Sequence, residues 1–351
     1  MAGLTVPNLL ASMKARFRQA TIQEITMKAI RAHQWCSPRE LVVDEIDIPQ
    51  PGERQILVRV NATGLNFPDL LIISGKYQFK PALPFSPGFE IAGSVEKLGP
   101  GVTRFSEGQR VIAQLPVGGC AEYALAEEAY AHPKPDSMSD EEAAAFPLVY
   151  QTAYFGLAYR GAMQKGETVL IHSAAGGVGL AAVQIARALG AGKIIGTVGA
   201  DEKLALVRAS GADVVLNYQT EDFVDVVKRE TNGRGADVIY DPVGGEIGER
   251  STKCIAFEGR LVLVGFTSGK FSNFVSNHVL VKNYSVVGLH WGSYRHNNPA
   301  KIEHGWNELM EIYQTGMLKP VIGGCFHMEE IAEAMEFLAS RKAVGKIVLH
   351  W

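Results

Sequence analysis

Three glycines in the run His172-Ser-Ala-Ala-Gly-Gly-Val-Gly179 mark a place where backbone can approach an anion closely. Gly176 and Gly179 stand as the second and third glycines of G-x-G-x-x-G, and Ala174 takes the place of the first. The expected order is a buried strand (Val169 to Ile171), a tight turn through Gly176, Gly177 and Gly179, and a helix whose Leu180, Val183, Ile185 and Leu189 precede Gly190. Free N–H groups at such a helix start, with no Cβ in the way, suit a pyrophosphate. The chemistry implied is dinucleotide binding. A second strand at Lys193–Val198 supplies the βαβ context that the glycine pattern needs.

The end of that second strand bears on which dinucleotide. A carboxylate there would bind a ribose 2′-hydroxyl and repel a 2′-phosphate. Gly199 stands at the strand end instead. Lys203 in the next turn can pair with a 2′-phosphate, and Tyr218 after the third strand can hydrogen-bond to it. Asp201 and Glu202 weigh the other way unless they are helix-start acids facing solvent. NADPH is therefore expected over NADH. His290 also attracts a chemical reading, because imidazole titrates near neutrality. No partner for it is visible in sequence, so a proton donor and a structural histidine both stay open.

The elements that must position these residues divide in two. Short strands with glycine and proline turns (Lys28–Ala32, Leu41–Ile46, Gln55–Thr63, Ile91–Leu98, Arg110–Leu115) read as a mostly β domain. Helices at Glu141–Phe146 and Thr152–Arg160 lead into the glycine turn. Strands then alternate with helices: Val214–Asn217, Asp237–Asp241, Arg260–Phe266 and Ser285–Leu289 complete about six parallel strands, a doubly wound α/β arrangement. Two more helices (Ala300–Thr315 and Glu329–Ser340) and a last strand, Gly345–His350, follow. That strand is expected to return to the β domain. The boundaries expected are an N-terminal extension over 1–26, a first domain made of 27–150 and 290–351, and a Rossmann domain over 151–289.

A chain of 351 residues, 47% hydrophobic, is long enough for two globular domains. Its net charge of −3 argues against nucleic acid or an anionic membrane surface as the main partner. No uncharged apolar stretch is long enough to span a bilayer. The four cysteines (Cys36, Cys120, Cys254, Cys325) are far apart, which suits a reducing compartment; the cytoplasm is expected.

The chain resembles the medium-chain dehydrogenase/reductase superfamily, and within it the zinc-independent NADPH:quinone oxidoreductases. The resemblance is carried by Gly64-Leu-Asn-Phe-Pro-Asp69, Ser74-Gly-Lys-Tyr77, Pro87-Gly-Phe-Glu90, Ala174-Ala-Gly-Gly-Val-Gly179, Gly288-Leu-His-Trp-Gly-Ser-Tyr294 and Gly345-Lys-Ile-Val-Leu349. Zinc-dependent relatives have Cys where this chain has Asn66, and Gly-His-Glu where it has Gly88-Phe89-Glu90. Phenylalanine offers no lone pair, and an amide is a poor zinc ligand beside a thiolate, so no metal is expected. Without a Lewis acid for an alkoxide, reduction of a quinone or an α,β-unsaturated carbonyl is the chemistry that remains.

The resemblance implies a chaperonin-10-like β domain packed on a Rossmann sheet, with NADPH in the cleft and a homodimer joined through the Rossmann edges. It places Asn66 beside the nicotinamide and the acceptor (or as a loop cap), Asp69 as the residue that orients the same loop or an ordinary solvated acid, and Tyr77 in the pocket as a hydrogen-bond donor or a packed aromatic; these are the catalytic candidates. Thr152, Val178, Gly265, Phe266, Leu289 and Lys346 are implied as further cofactor contacts. Trp291, with His290, is implied in the acceptor pocket, where its ring either stacks on a planar acceptor or packs in the core. Where several quinone reductases have a tyrosine this chain has Leu71. An enoyl thioester (enoyl-CoA) reductase and a non-enzymatic NADPH-binding protein are the competing expectations.

Overall fold

The polypeptide is described by a computed structural model over residues 26–351, so the expected extension lies outside the described residues except for Thr26. Thr26 already belongs to the first strand, β1 (Thr26–Arg31), which pairs antiparallel with β2 (Val42–Asp47). The long strand β3 (Gln55–Leu65) is the spine of the first domain. Antiparallel to it run β4 (Glu90–Leu98) on one side and β6 (Tyr123–Glu127), while β4 continues to β5 (Arg110–Gln114) and β7 (Ala131–Pro133). A seven-residue helix, α1 (Phe67–Ile73), leaves the end of β3 directly.

Helices α2 (Asp140–Ala145) and α3 (Pro147–Tyr154) carry the chain across to the second sheet. A single helix over Thr152–Arg160 is the sequence expectation. The α-helix instead ends at Tyr154 and continues as a π-helical segment, Phe155–Arg160, closed by Gly161 N–H donating to the Gly156 carbonyl at 2.7 Å. Gly156 lies so close to the Tyr240 ring that a Cβ would sit 2.6 Å from it, so packing sets the local pitch.

The second sheet is fully parallel, in the order β10-β9-β8-β11-β12-β13: Val214–Asn217, Lys193–Val198, Thr168–Ile171, Ala236–Asp241, Ile255–Leu263 and Ser285–Gly288. This is the doubly wound fold expected from the alternation of strands and helices. The helix after the glycine turn, α4 (Gly177–Ala188), has a face of Leu180, Val183 and Ile185 that is almost wholly buried. The fifth strand stops at Leu263, short of the expected Phe266.

The C-terminal segment comes back to the first domain. β15 (Lys346–His350) pairs antiparallel with β3 through Ile347–Leu65, Val348–Gly64 and Leu349–Thr63. On its other side it pairs in parallel with β14 (Ile322–His327), a strand whose Gly323-Gly324 start hides it from a propensity reading. The step into β15 also touches the glycine turn: Gly345 N–H donates to the Ala175 carbonyl at 2.8 Å, and Gly345 bridges Gly176. The last strand thus joins both domains. Among the described residues no helix is long and apolar enough to cross a membrane.

Gly345 has φ +57°, and a Cβ there would stand 2.1 Å from the Val321 carbonyl oxygen. Left-handed backbone and a steric overlap therefore coincide at one residue. Gly345→Ala is expected to destabilise the fold by roughly 2–4 kcal/mol, read as a lower urea midpoint at unchanged slope.

Candidate active site

The glycine turn forms a cradle without side chains. Gly176 caps α4 with no side-chain acceptor, so the N–H groups of Gly177, Val178 and Gly179 have no helical partner. At Gly179 a Cβ would lie 2.2 Å from the Ser173 carbonyl oxygen and 2.8 Å from Ala174 Cα; only glycine allows this helix to start so close to β8. Ala174 is wholly buried and its N–H donates to the Thr197 carbonyl, fixing the turn to β9. The cradle fits a dinucleotide pyrophosphate. His172, which the sequence reading passed over, anchors it from below: its ring hydrogen-bonds Thr197 Oγ1 at 3.2 Å and Ser251 Oγ at 2.8 Å. Burial pushes the pKa of His172 down to about 4, so it stands neutral.

At the end of β9, Gly199 faces Tyr218, whose hydroxyl would be 2.7 Å from a Cβ at that position. Asp201 is tied to Asn217 Nδ2 at 2.8 Å. Lys203 differs from expectation. Its ammonium does not project freely: it donates to the carbonyls of Arg341 at 2.6 Å and Ala343 at 3.2 Å, and burial lowers its pKa. Two of its three protons thus hold the turn before β15. That turn carries Arg341, itself at φ +61°, whose guanidinium donates to the Thr267 carbonyl. Arg341 and Lys342 are cations that the sequence reading missed, because they lie about 140 residues from Lys203 and only the fold brings them together.

The second half of the site lies where β3, β4 and β15 meet. Asn66, Glu90 and Lys346 are all buried there. Lys346 Nζ donates to Asn66 Oδ1 (2.6 Å), the Leu65 carbonyl (2.6 Å) and Glu90 Oε1 (2.7 Å). Asn66 Nδ2 donates to the same Glu90 oxygen at 2.8 Å and to the Gly64 carbonyl at 3.2 Å. The other Glu90 oxygen accepts the N–H of Leu148 at 2.7 Å, capping the start of α3. Lys346 was expected to reach the cofactor. Its stem does pass the glycine turn, with Cδ 3.1 Å from where a Gly177 Cβ would be, but its ammonium is spent on three acceptors in the first domain.

Asp69, a catalytic candidate expected to orient the Asn66 loop, is wholly buried and its carboxylate oxygens accept the backbone N–H groups of Asn66 (2.8 Å) and Gly88 (2.9 Å). It caps α1 and holds the Gly88 loop. Burial pushes its pKa up to about 7, against the pull of those two N–H groups and of Lys346. Tyr77 is half-buried and packs on Phe89, ring centroids 5.9 Å apart; burial and Asp69 raise its pKa.

The remaining candidates scatter. Thr152 and Val178 are half-buried, on α3 and at the start of α4. Gly265 and Phe266 lie in the loop beyond β12, with Phe266 edge-on to Phe271. Leu289 is buried and its N–H is taken by the Leu263 carbonyl. Trp291 packs in the core edge-on to Phe155 and does not stand out as a stacking platform. His290 is exposed and bonds Ser293 Oγ.

Comparison with known proteins gives a consistent picture. A family model described as alcohol dehydrogenase GroES-like domain matches residues 52–136, and one described as zinc-binding dehydrogenase matches 177–311. The quinone oxidoreductase-like protein 2 homolog of Nematostella vectensis is 39% identical over 312 residues, covering 88% of this chain and 85% of that protein. The Escherichia coli quinone oxidoreductase, solved in complex with NADPH, is similar at a TM-score of 0.85 and 33% identity, covering 92% of this chain and all of that one. The solved CurK enoyl reductase is similar at a TM-score of 0.83 and 30% identity, covering 93% of this chain and 98% of that one.

The Asp69 carboxyl sets a pH dependence. Between its usual value of 3.8 and about 7 the folded protein keeps a proton that the unfolded chain has lost, so this group makes stability fall as pH rises through that window and level off above it. The slope is at most about 1.4 kcal/mol per pH unit. Asp69→Asn carries no titrating group and is expected to lose this slope whatever its absolute stability, as thermal melts of both proteins from pH 4.5 to 8 would read.

Proposed function

The chain belongs to the medium-chain dehydrogenase/reductase superfamily, among its quinone oxidoreductases, and from that premise we propose that it reduces quinones or other conjugated carbonyls with NADPH and without zinc. The observation that carries this reading is the ammonium of Lys346 seated between Glu90 and Asn66. A cation placed among those donors would meet a charge of its own sign, with an amide and the Phe89 ring in place of soft ligands.

NADPH, when bound, supplies the hydride; the chain binds, orients and keeps out water. In this reading the N–H groups of Gly177, Val178 and Gly179 take the pyrophosphate. The third proton of Lys203, the Tyr218 hydroxyl and the Arg341 side chain take the 2′-phosphate, and Gly199 leaves room for it. Thr152 and the Val178 side chain flank the nicotinamide. Tyr77 and Phe89 wall the acceptor side, and the reduced acceptor takes its proton from water or from the Tyr77 hydroxyl. The similarity to CurK enoyl reductase favours one second reading, an enoyl thioester as the acceptor.

We place a second copy of the chain on the open edge of the Rossmann sheet. Among the described residues β13 has a neighbour on one side only, and Phe257, Val275, Leu280 and Val281 are exposed around it. Antiparallel pairing of two such edges across a twofold axis would satisfy the ladder and cover those side chains. The four cysteines, all free, suit the cytoplasm.

NADPH oxidation against a panel of quinones, enones and enoyl thioesters tests the activity; binding of NADPH with turnover of none of them sinks it and leaves a non-enzymatic role. Lys203→Glu is expected to weaken NADPH by roughly 2–3 kcal/mol, while NADH changes little. Leu280→Glu with Val281→Glu is expected to give a monomer by light scattering.

A further inference from the structure

The amide of Asn66 is held in one of its two orientations by charges on either side. We propose that Lys346, acting with Glu90, is a positioning residue that fixes this amide so that Asn66 offers the acceptor a hydrogen-bond donor. The inference rests on the reductase reading and says which group of the site meets the substrate oxygen.

The geometry leaves one choice. Lys346 carries three protons and all three are used, one of them on Asn66 Oδ1 at 2.6 Å. Glu90 Oε1 is an acceptor only and takes Asn66 Nδ2–H at 2.8 Å. Turning the amide over would set its NH2 against an ammonium and its oxygen against a carboxylate. In a buried setting both contacts are heavily penalised. The oxygen of Asn66 therefore stays with Lys346, and the NH2 group has a bond it can trade. That bond is the longest of the set, 3.2 Å to the Gly64 carbonyl. A substrate oxygen arriving at Asn66 takes that hydrogen while Glu90 keeps the other.

A donor suits a carbonyl oxygen that gains negative charge as hydride adds to the conjugated system. That donor is thus oriented by a lysine that reaches Asn66 along the glycine turn and does not itself meet the reacting atoms.

The test uses the full chain with NADPH and 1,4-naphthoquinone, comparing wild type, Lys346→Met and the double variant Lys346→Met with Glu90→Gln. Selective 15N-asparagine labelling follows exchange of the Asn66 side-chain protons, the signal being identified by its absence in Asn66→Asp. Lys346→Met strands the Glu90 charge, so its melting temperature drops. The double variant removes both charges, and the glutamine amide introduced beside Asn66 can pair with it in either orientation, so nothing fixes the donor. We expect the melting temperature to recover in the double variant while kcat stays lower by roughly tenfold or more, the KM for NADPH remaining within about twofold. We also expect the Asn66 protons to exchange faster in both variants. Recovery of kcat together with stability, or unchanged exchange in Lys346→Met, overturns the proposal. If wild type reduces no acceptor, the reductase reading fails on its own, and the exchange measurement still decides whether Lys346 orients the amide.

Discussion

Glu90 and Lys346 put two opposite charges out of water where β3, β4 and β15 meet, and the rest of the site hangs on that pair. Neither charge is tolerable alone in such a place, and the pair is compensated only because its remaining hydrogen-bonding capacity is filled. Glu90 spends its second oxygen on the start of α3, which leads to the cofactor side. Lys346 spends its other protons on the Leu65 carbonyl and on Asn66. One ion pair thereby fixes a helix start, a strand end and the Asn66 amide.

The same lysine ties this arrangement to the dinucleotide turn. Its backbone neighbour Gly345 donates to Ala175, and its stem lies against Gly177, so the cradle and the buried pair share one strand. The turn just before that strand is held by Lys203 through the carbonyls of Arg341 and Ala343. The turn held by Lys203 and the buried pair are accordingly not independent. Both pull on residues 341–346, which close the last strand onto β3.

Much of the fold was legible because period and punctuation leave little choice. The strands Lys193–Val198 and Val214–Asn217 match the sequence reading residue for residue, since short β-branched runs between helices can do little else in a parallel sheet. The strands Tyr123–Glu127 and Ala131–Pro133 went unread: the first is alanine-rich and the second only three residues long, and both exist through their partners β3 and β5. Phe266 and Trp291 illustrate another limit. Aromatic residues near a sheet's carboxyl edge read as ligand contacts, and only the fold shows that their rings also have protein partners, Phe271 and Phe155.

By itself the sequence determined the glycine cradle, the parallel sheet that carries it and the lack of thiolate and imidazole at Asn66 and Phe89, because each follows from local geometry or from the chemistry of a side chain in place. The roles of Lys346, Lys203 and Asp69 were decided only by the tertiary structure. A lysine's reach and a carboxylate's burial depend on what is folded against them, and here the partners of Lys346 lie more than 250 residues away. The sequence contains the lysine; closure of β15 onto β3 makes it the counter-charge of Glu90.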